Sequence, residues 1–96
     1  MQAPRFLIAR FSSIGDIILT SPVIHAIRAH YGSKARIDFV CNSKFKGAAE
    51  LLHGVDEIHV VERATIEIAS DLKKLNFNYF IDLHCSVRSR SLSKAL

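Results

Sequence analysis

The sequence predicts an α/β fold, a parallel sheet with helices on both faces, from three observations. Apolar runs of strand length alternate four times with helical patterns along 96 residues. The first run, Phe6-Leu7-Ile8-Ala9, shows no polar alternation, as expected of a strand covered on both sides. It stops at Ser12, Ser13 and Gly15 and passes at once into a long apolar-faced helical pattern. Such a strand-to-helix turn aims backbone N–H groups at whatever sits over the strand end.

The elements follow in order. Residues 5–10 form a first strand, and Ser12 and Ser13 can cap the next helix, with Asp16 in its first turn. Pro22 removes a helical hydrogen bond, so a kink is expected there, or a restart with Ser21 as N-cap and Pro22 at the first position. Ile24, Ile27 and Tyr31 recur at helical spacing before Gly32, a residue suited to ending a helix. Arg36 to Cys41 reads as a second strand, and Phe45 to His53 as a short helix ended by Gly54. Asp56 to Val61 alternates like a third strand nearer an edge. Ile66 to Leu75 is helical in pattern, Asn78 to Leu83 is a fourth strand, and Val87 to Leu96 begins a last helix. The βαβαβαβα order implies right-handed crossovers in a parallel sheet. Ending inside a helical pattern, with an apolar sheet edge left over, suggests an incomplete domain.

Composition narrows the class of partner. Hydrophobic residues make up 49% and charged residues 23%, which describes a packed chain. A net charge of +4 suits an anionic partner such as phosphate, nucleic acid or a membrane surface, without choosing among them. Cys41 and Cys85 form no CxxC pair and no disulfide framework. The N-terminus has no long apolar segment, so residence in the cytoplasm is expected, and peripheral attachment to a membrane is compatible with it.

In doubly wound sheets ligands bind beyond the carboxyl ends of the strands. The candidates are then Ser12, Ser13, Gly15 and Asp16 after the first strand, and Cys41, Asn42, Ser43 and Lys44 after the second. Arg63 follows the third strand; His84, Cys85, Ser86 and Arg88 follow the fourth. A dinucleotide site would need GxGxxG and an acidic residue ending the second strand, whereas this turn has one glycine and Asp38 falls mid-strand. A P-loop motif is absent. A phosphoacceptor role for Asp82 would need further carboxylates after the first strand, where Ser12 and Ser13 stand.

Asp16 has two readings. As a helix-dipole carboxylate it adds roughly 0.3–1 kcal/mol to the first turn. As a general base it takes a proton from a hydroxyl that attacks an electrophile. Arg88 could meet an acidic group, while Arg90, Lys94, Lys44 and Lys46 read as surface. A metal site from Cys41, His84 and Cys85 has no support in spacing, and His25, His30, His53 and His59 read as surface residues.

FLIARFSSIGDIILTSPVIHAIRAHY resembles the opening of family 9 glycosyltransferases, the heptosyltransferases of lipopolysaccharide core assembly. The resemblance continues through ARIDFVCNSKF and GVDEIHVVER into NYFIDLHCSVRSRSL. It implies a GT-B architecture of two Rossmann-like domains, of which residues 1–96 would be about the first half of the N-terminal, acceptor-side domain. The C-terminal donor-binding domain would be absent, and the chain alone inactive. Asp16 inherits the role of catalytic base; Ser12, Ser13, Gly15 and Arg88 would lie against the acceptor. Relatives often carry glycine or asparagine where this chain has Cys85 and Ser86. The implied donor is a nucleotide sugar such as ADP-heptose and the acceptor a lipopolysaccharide core or lipid A-linked sugar. The site would lie at the cytoplasmic face of the inner membrane, with no metal, cofactor or nucleic acid involved. The alternative is a noncatalytic Rossmann-like domain that binds a phosphorylated or nucleotide ligand.

Overall fold

The computed structural model describes residues 4–11, 14–62 and 73–83. Within them the order is β1 (Arg5–Ala9), α1 (Ile14–Ile18), α2 (Ser21–Tyr31), β2 (Arg36–Asn42), α3 (Lys46–Ala49), β3 (Glu57–Val61) and β4 (Tyr79–Asp82). All four strands are parallel and lie in the order β3-β2-β1-β4. The expected α/β class with an open parallel sheet is therefore what forms. The helical patterns expected over 66–75 and 87–96 fall wholly or mainly outside the described residues.

Alternation along the strands divides the core into two layers. Phe6 and Ile8 of β1 stand beside Ile37 and Phe39 of β2 and face Ile17, Ile24 and Ile27 of α1 and α2. Ala48, Ala49 and Leu52 close this layer. Leu7, Ala9, Phe11, Val40 and Val61 form the second layer, against which Leu75, Phe77 and Phe80 pack. Leu7, Ile8 and Ala9 have no solvent exposure, as the unbroken apolar run predicts. Tyr79 stacks on Phe6 with ring centroids 5.0 Å apart, which seats β4 beside β1.

The helix after β1 does not run through. Thr20, not Ser21, is the N-cap of α2, and Pro22 sits in its first turn. The expected restart at the proline occurs one residue earlier because Thr20 is buried, with its hydroxyl donating to the Ile17 carbonyl at 2.6 Å instead of capping α2. The helix expected over Phe45 to His53 is also shorter: a 3-10 turn over Ser43–Phe45 leads into four residues of α-helix. Gly47 lowers helix propensity at the centre of that segment, and turns follow Ala49.

The amino ends of β2 and β3 are tied to α2 by one side chain. Arg28 donates from Nε and Nη2 to the Gly54 carbonyl, at 3.0 and 2.7 Å, and from Nη1 to the Gly32 and Ala35 carbonyls. Its Nη2 also meets Asp56 Oδ2 at 2.8 Å. The same Asp56 oxygen accepts the Ile37 N–H at 2.7 Å, starting the β2–β3 ladder. Gly54 has φ +97°, and a Cβ there would stand 3.0 Å from Ile24 Cγ2 and 3.3 Å from Arg28 Cγ. Gly54→Ala should therefore cost more than about 1 kcal/mol, and Arg28→Met about 2–3 kcal/mol, measured by urea unfolding. Wild-type midpoints for both variants would contradict this account of the clamp.

Candidate functional site

The chain moves outward from β1 in one direction to form β2 and β3, then returns to place β4 on the other side of β1. The strand order thus reverses between β1 and β4. In open parallel sheets such a reversal opens a crevice beyond the carboxyl ends of the two strands, because their connections leave on opposite faces. A cavity of about 240 Å³ lies there, lined by Arg10, Asp16, Leu19, Thr20, Val23 and Leu83. That is below the roughly 300–1,000 Å³ of a complete small-molecule site, so it reads as one wall or subsite of a larger one.

Sequence explains the aim of the polar residues. Phe11 is fully buried in the second core layer, so alternation turns Arg10 toward the side of α1 and α2. The Arg10 N–H donates to the Val40 carbonyl at 3.2 Å and the Asn42 N–H to the Phe11 carbonyl at 3.1 Å, continuing the sheet beyond β1. On the other flank the Leu83 N–H donates to the Ala9 carbonyl at 3.0 Å. Arg10 Nη1 donates to the Leu83 carbonyl at 2.8 Å, and Nη2 pairs with Asp16 Oδ2 at 2.9 Å. The Asp16 side chain is 47% exposed, so the pair adds only about 0.2–1 kcal/mol to folding. Leu19 and Val23 give the cavity an apolar wall.

Asp16 stands in the first turn of α1 as the sequence predicts. Gly15 precedes it, and a Cβ there would meet nothing within 4 Å, so backbone packing does not require this glycine. Ser12, Ser13 and Arg88 lie outside the described residues, as do Arg63, His84, Cys85, Ser86, Arg90 and Lys94. Cys41 is not at the sheet's open end: it is wholly buried in the first core layer, and burial pushes its thiol up to about 11. Asn42 instead folds its side chain onto the Lys44 N–H at 3.0 Å, closing the turn after β2. α1 spans five residues before the break at Leu19 and Thr20, too short a helix to cradle a phosphate by its dipole.

A second polar cluster was not foreseen. Asp38, without solvent exposure, takes Arg36 Nε and Nη2 on its two oxygens at 2.8 and 3.0 Å, and His59 Nε2 at 2.7 Å. Arg36 also meets Glu57 at 2.8 Å. His59, expected on the surface, is thus a partly buried partner of a buried carboxylate. Ligand atoms of Asp38, Glu57 and His59 lie within 4.8 Å of one another, close enough for a metal ion. Arg36 already supplies positive charge to both carboxylates there, so the group reads as an ion-pair network. A larger cavity of about 400 Å³ adjoins it, lined by Ser33, Lys34, Ala35, Arg36, Asp56 and Glu57. It opens at the amino ends of β2 and β3, away from the strand-order reversal, and three of its four charged residues, Arg36, Asp56 and Glu57, are already paired.

No protein-family model and no curated protein matches the chain. A solved structure does. It is described as the glycosyl transferase family 9 from Veillonella parvula DSM 2008, with a TM-score of 0.84 and 22% identity. The match covers 99% of this chain and 30% of the other, so the chain spans under a third of that protein's length. At this identity the likeness is one of fold. Among the described residues no helix is long and apolar enough to cross a membrane.

Burial raises the Asp38 carboxyl pKa, but hydrogen bonds from His59 and Arg36 outweigh it and hold the group below its ordinary 3.8. The unfolded chain therefore binds this proton more tightly than the folded one. The stability from Asp38 is present above 3.8 and lost as pH falls through the lower folded-state value. Asp38→Asn should cost about 3–5 kcal/mol at neutral pH and flatten the acid limb of stability in urea unfolding from pH about 5 to 2. An unchanged acid limb would remove Asp38 from this role.

Proposed function

We propose that the chain is the acceptor-side part of a family 9 type glycosyltransferase, with Asp16 as the general base. The observation that carries this reading is the Asp16 carboxylate at the mouth of the cleft where the strand order reverses. The fold likeness to a protein described as a glycosyl transferase of family 9 extends over 99% of the chain and supports it. A sugar ring lays its C–H face on Leu19 and Val23 and turns a hydroxyl toward Asp16, which suits a cavity with one apolar and one charged wall.

In the proposed reaction Asp16 accepts the proton of the acceptor hydroxyl as its oxygen attacks the anomeric carbon of the donor. The bond from that carbon to the nucleotide diphosphate breaks, the electron pair leaves with the diphosphate, and the configuration inverts. One base suffices, and a metal is not part of the proposal. The donor, a nucleotide sugar such as ADP-heptose, binds a second Rossmann-like domain outside these 96 residues. The acceptor is a lipopolysaccharide core or lipid A-linked sugar, and Ser12, Ser13, Gly15 and Arg88 are the residues proposed to bind it. The exposed Ile14 and Ile18, on a chain of net charge +4, support work at the cytoplasmic face of an anionic membrane.

The noncatalytic reading, a domain for a phosphorylated or nucleotide ligand, is the weaker one because the turn after β1 holds a carboxylate where the anion should sit. In the full-length enzyme Asp16→Asn should lower acceptor-dependent nucleotide release about 10²–10⁴-fold while donor affinity by calorimetry stays unchanged. Near-normal turnover would sink the base assignment. Nucleotide binding by the 96-residue chain alone would favour the noncatalytic reading.

A further inference from the structure

We propose that Arg10 is the positioning residue for the transfer, holding the Asp16 carboxylate at the mouth of the cleft; this rests on Asp16 being the base. α1 cannot fix the Asp16 carboxylate by itself. It has five residues, its α-helical hydrogen bonds end with the Leu19 N–H on the Gly15 carbonyl at 3.0 Å, the Thr20 N–H turns to the Ile17 carbonyl, and Pro22 offers no N–H to continue them. A carboxylate on so short an element needs an external hold to keep one geometry, and a base displaced by about 1 Å can lose on the order of 10²-fold in rate.

Arg10 is built to give that hold. Its main chain is fixed to β2 through the Val40 carbonyl at 3.2 Å. Its neighbour Phe11 is sunk in the opposite core layer, which prevents the side chain from turning away. The guanidinium is fixed a second time through the Leu83 carbonyl, 2.8 Å from Nη1, at the end of β4. Only then does Nη2 reach Asp16, at 2.9 Å. One planar fork joins the ends of two sheet strands to the residue proposed to move the proton. A lysine has a single nitrogen and cannot span the two acceptors in a fixed plane. The positive charge also favours the unprotonated carboxylate, the form a base must have to act.

A double-mutant cycle in the full-length enzyme tests the proposal, with Arg10→Ala and Arg10→Lys each made with Asp16 and with Asp16→Asn. Arg10→Ala should lower kcat about 10–100-fold at unchanged donor KM, and move the acidic limb of the pH–rate profile to higher pH. With Asp16→Asn in place, the same change should cost less than about twofold more, because its effect runs through the lost carboxylate. Arg10→Lys should keep the acidic limb but recover only part of kcat. It carries the cycle by itself if Arg10→Ala fails to fold by circular dichroism. Losses that multiply in the double variants, or an unmoved acidic limb in Arg10→Ala, would overturn the proposal and leave Arg10 a strut between strand ends. Full turnover by Asp16→Asn alone would instead remove the base reading beneath it, a separate result.

Discussion

Between Phe6 and Ala9 the central strand offers no polar side chain to either face, so the chain must cover it with two layers and pair a strand along each edge. Much of the molecule follows from meeting that demand. β2 takes one edge of β1 and β4 the other, and Phe11 extends the burial past the strand's end. A strand buried on all sides has to release its chain at the open end of the sheet. There it meets the gap created because its two neighbours are reached by connections running in opposite directions. The cleft with Asp16 and Arg10 is thus a product of core formation.

The fold was legible in sequence because its signals are local. The apolar run of β1, the period of Ile24 and Ile27, and glycines at 32 and 54 each announce their element without reference to the rest of the chain. Where the local pattern misplaces an element boundary, packing in the folded chain overrides the local preference. Ser21 looks the better N-cap, yet the Thr20 hydroxyl is drawn inward to the Ile17 carbonyl, and α2 starts from Thr20. The helix after β2 looks longer because Leu51 and Leu52 continue an apolar pattern, but Leu51 is exposed and only Leu52 packs in the core.

The candidate site was half legible. Asp16 could be picked out because a carboxylate after a strand-to-helix turn is informative alone. Arg10 could not, since its meaning depends on the Leu83 carbonyl, 73 residues away along the chain. The Asp38 network shows the same limit. Arg36 and Asp38 stand two apart on one face of a strand, a visible pairing signal. That His59 and Glu57 join them depends on the register of β3 against β2, which no local pattern specifies. Histidines tend to be read as surface until a buried carboxylate is found beside them.

That network also bears on how the molecule meets its neighbours. β3 is an outer strand of the sheet, and an outer strand is a template on which another chain can add. Glu57 and His59 fall on the same face of β3 as buried Asp38. A foreign strand laid along β3 would have to carry the half-exposed Glu57 carboxylate out of water or pull Arg36 away from it. The charges that anchor the interior of β2 thereby act as a guard rail on the rim, discouraging growth of the sheet into a fibre. In acid, where Asp38 takes up its proton, Arg36 loses the tie that holds it beside Glu57, so the internal anchor and the guarded rim weaken together.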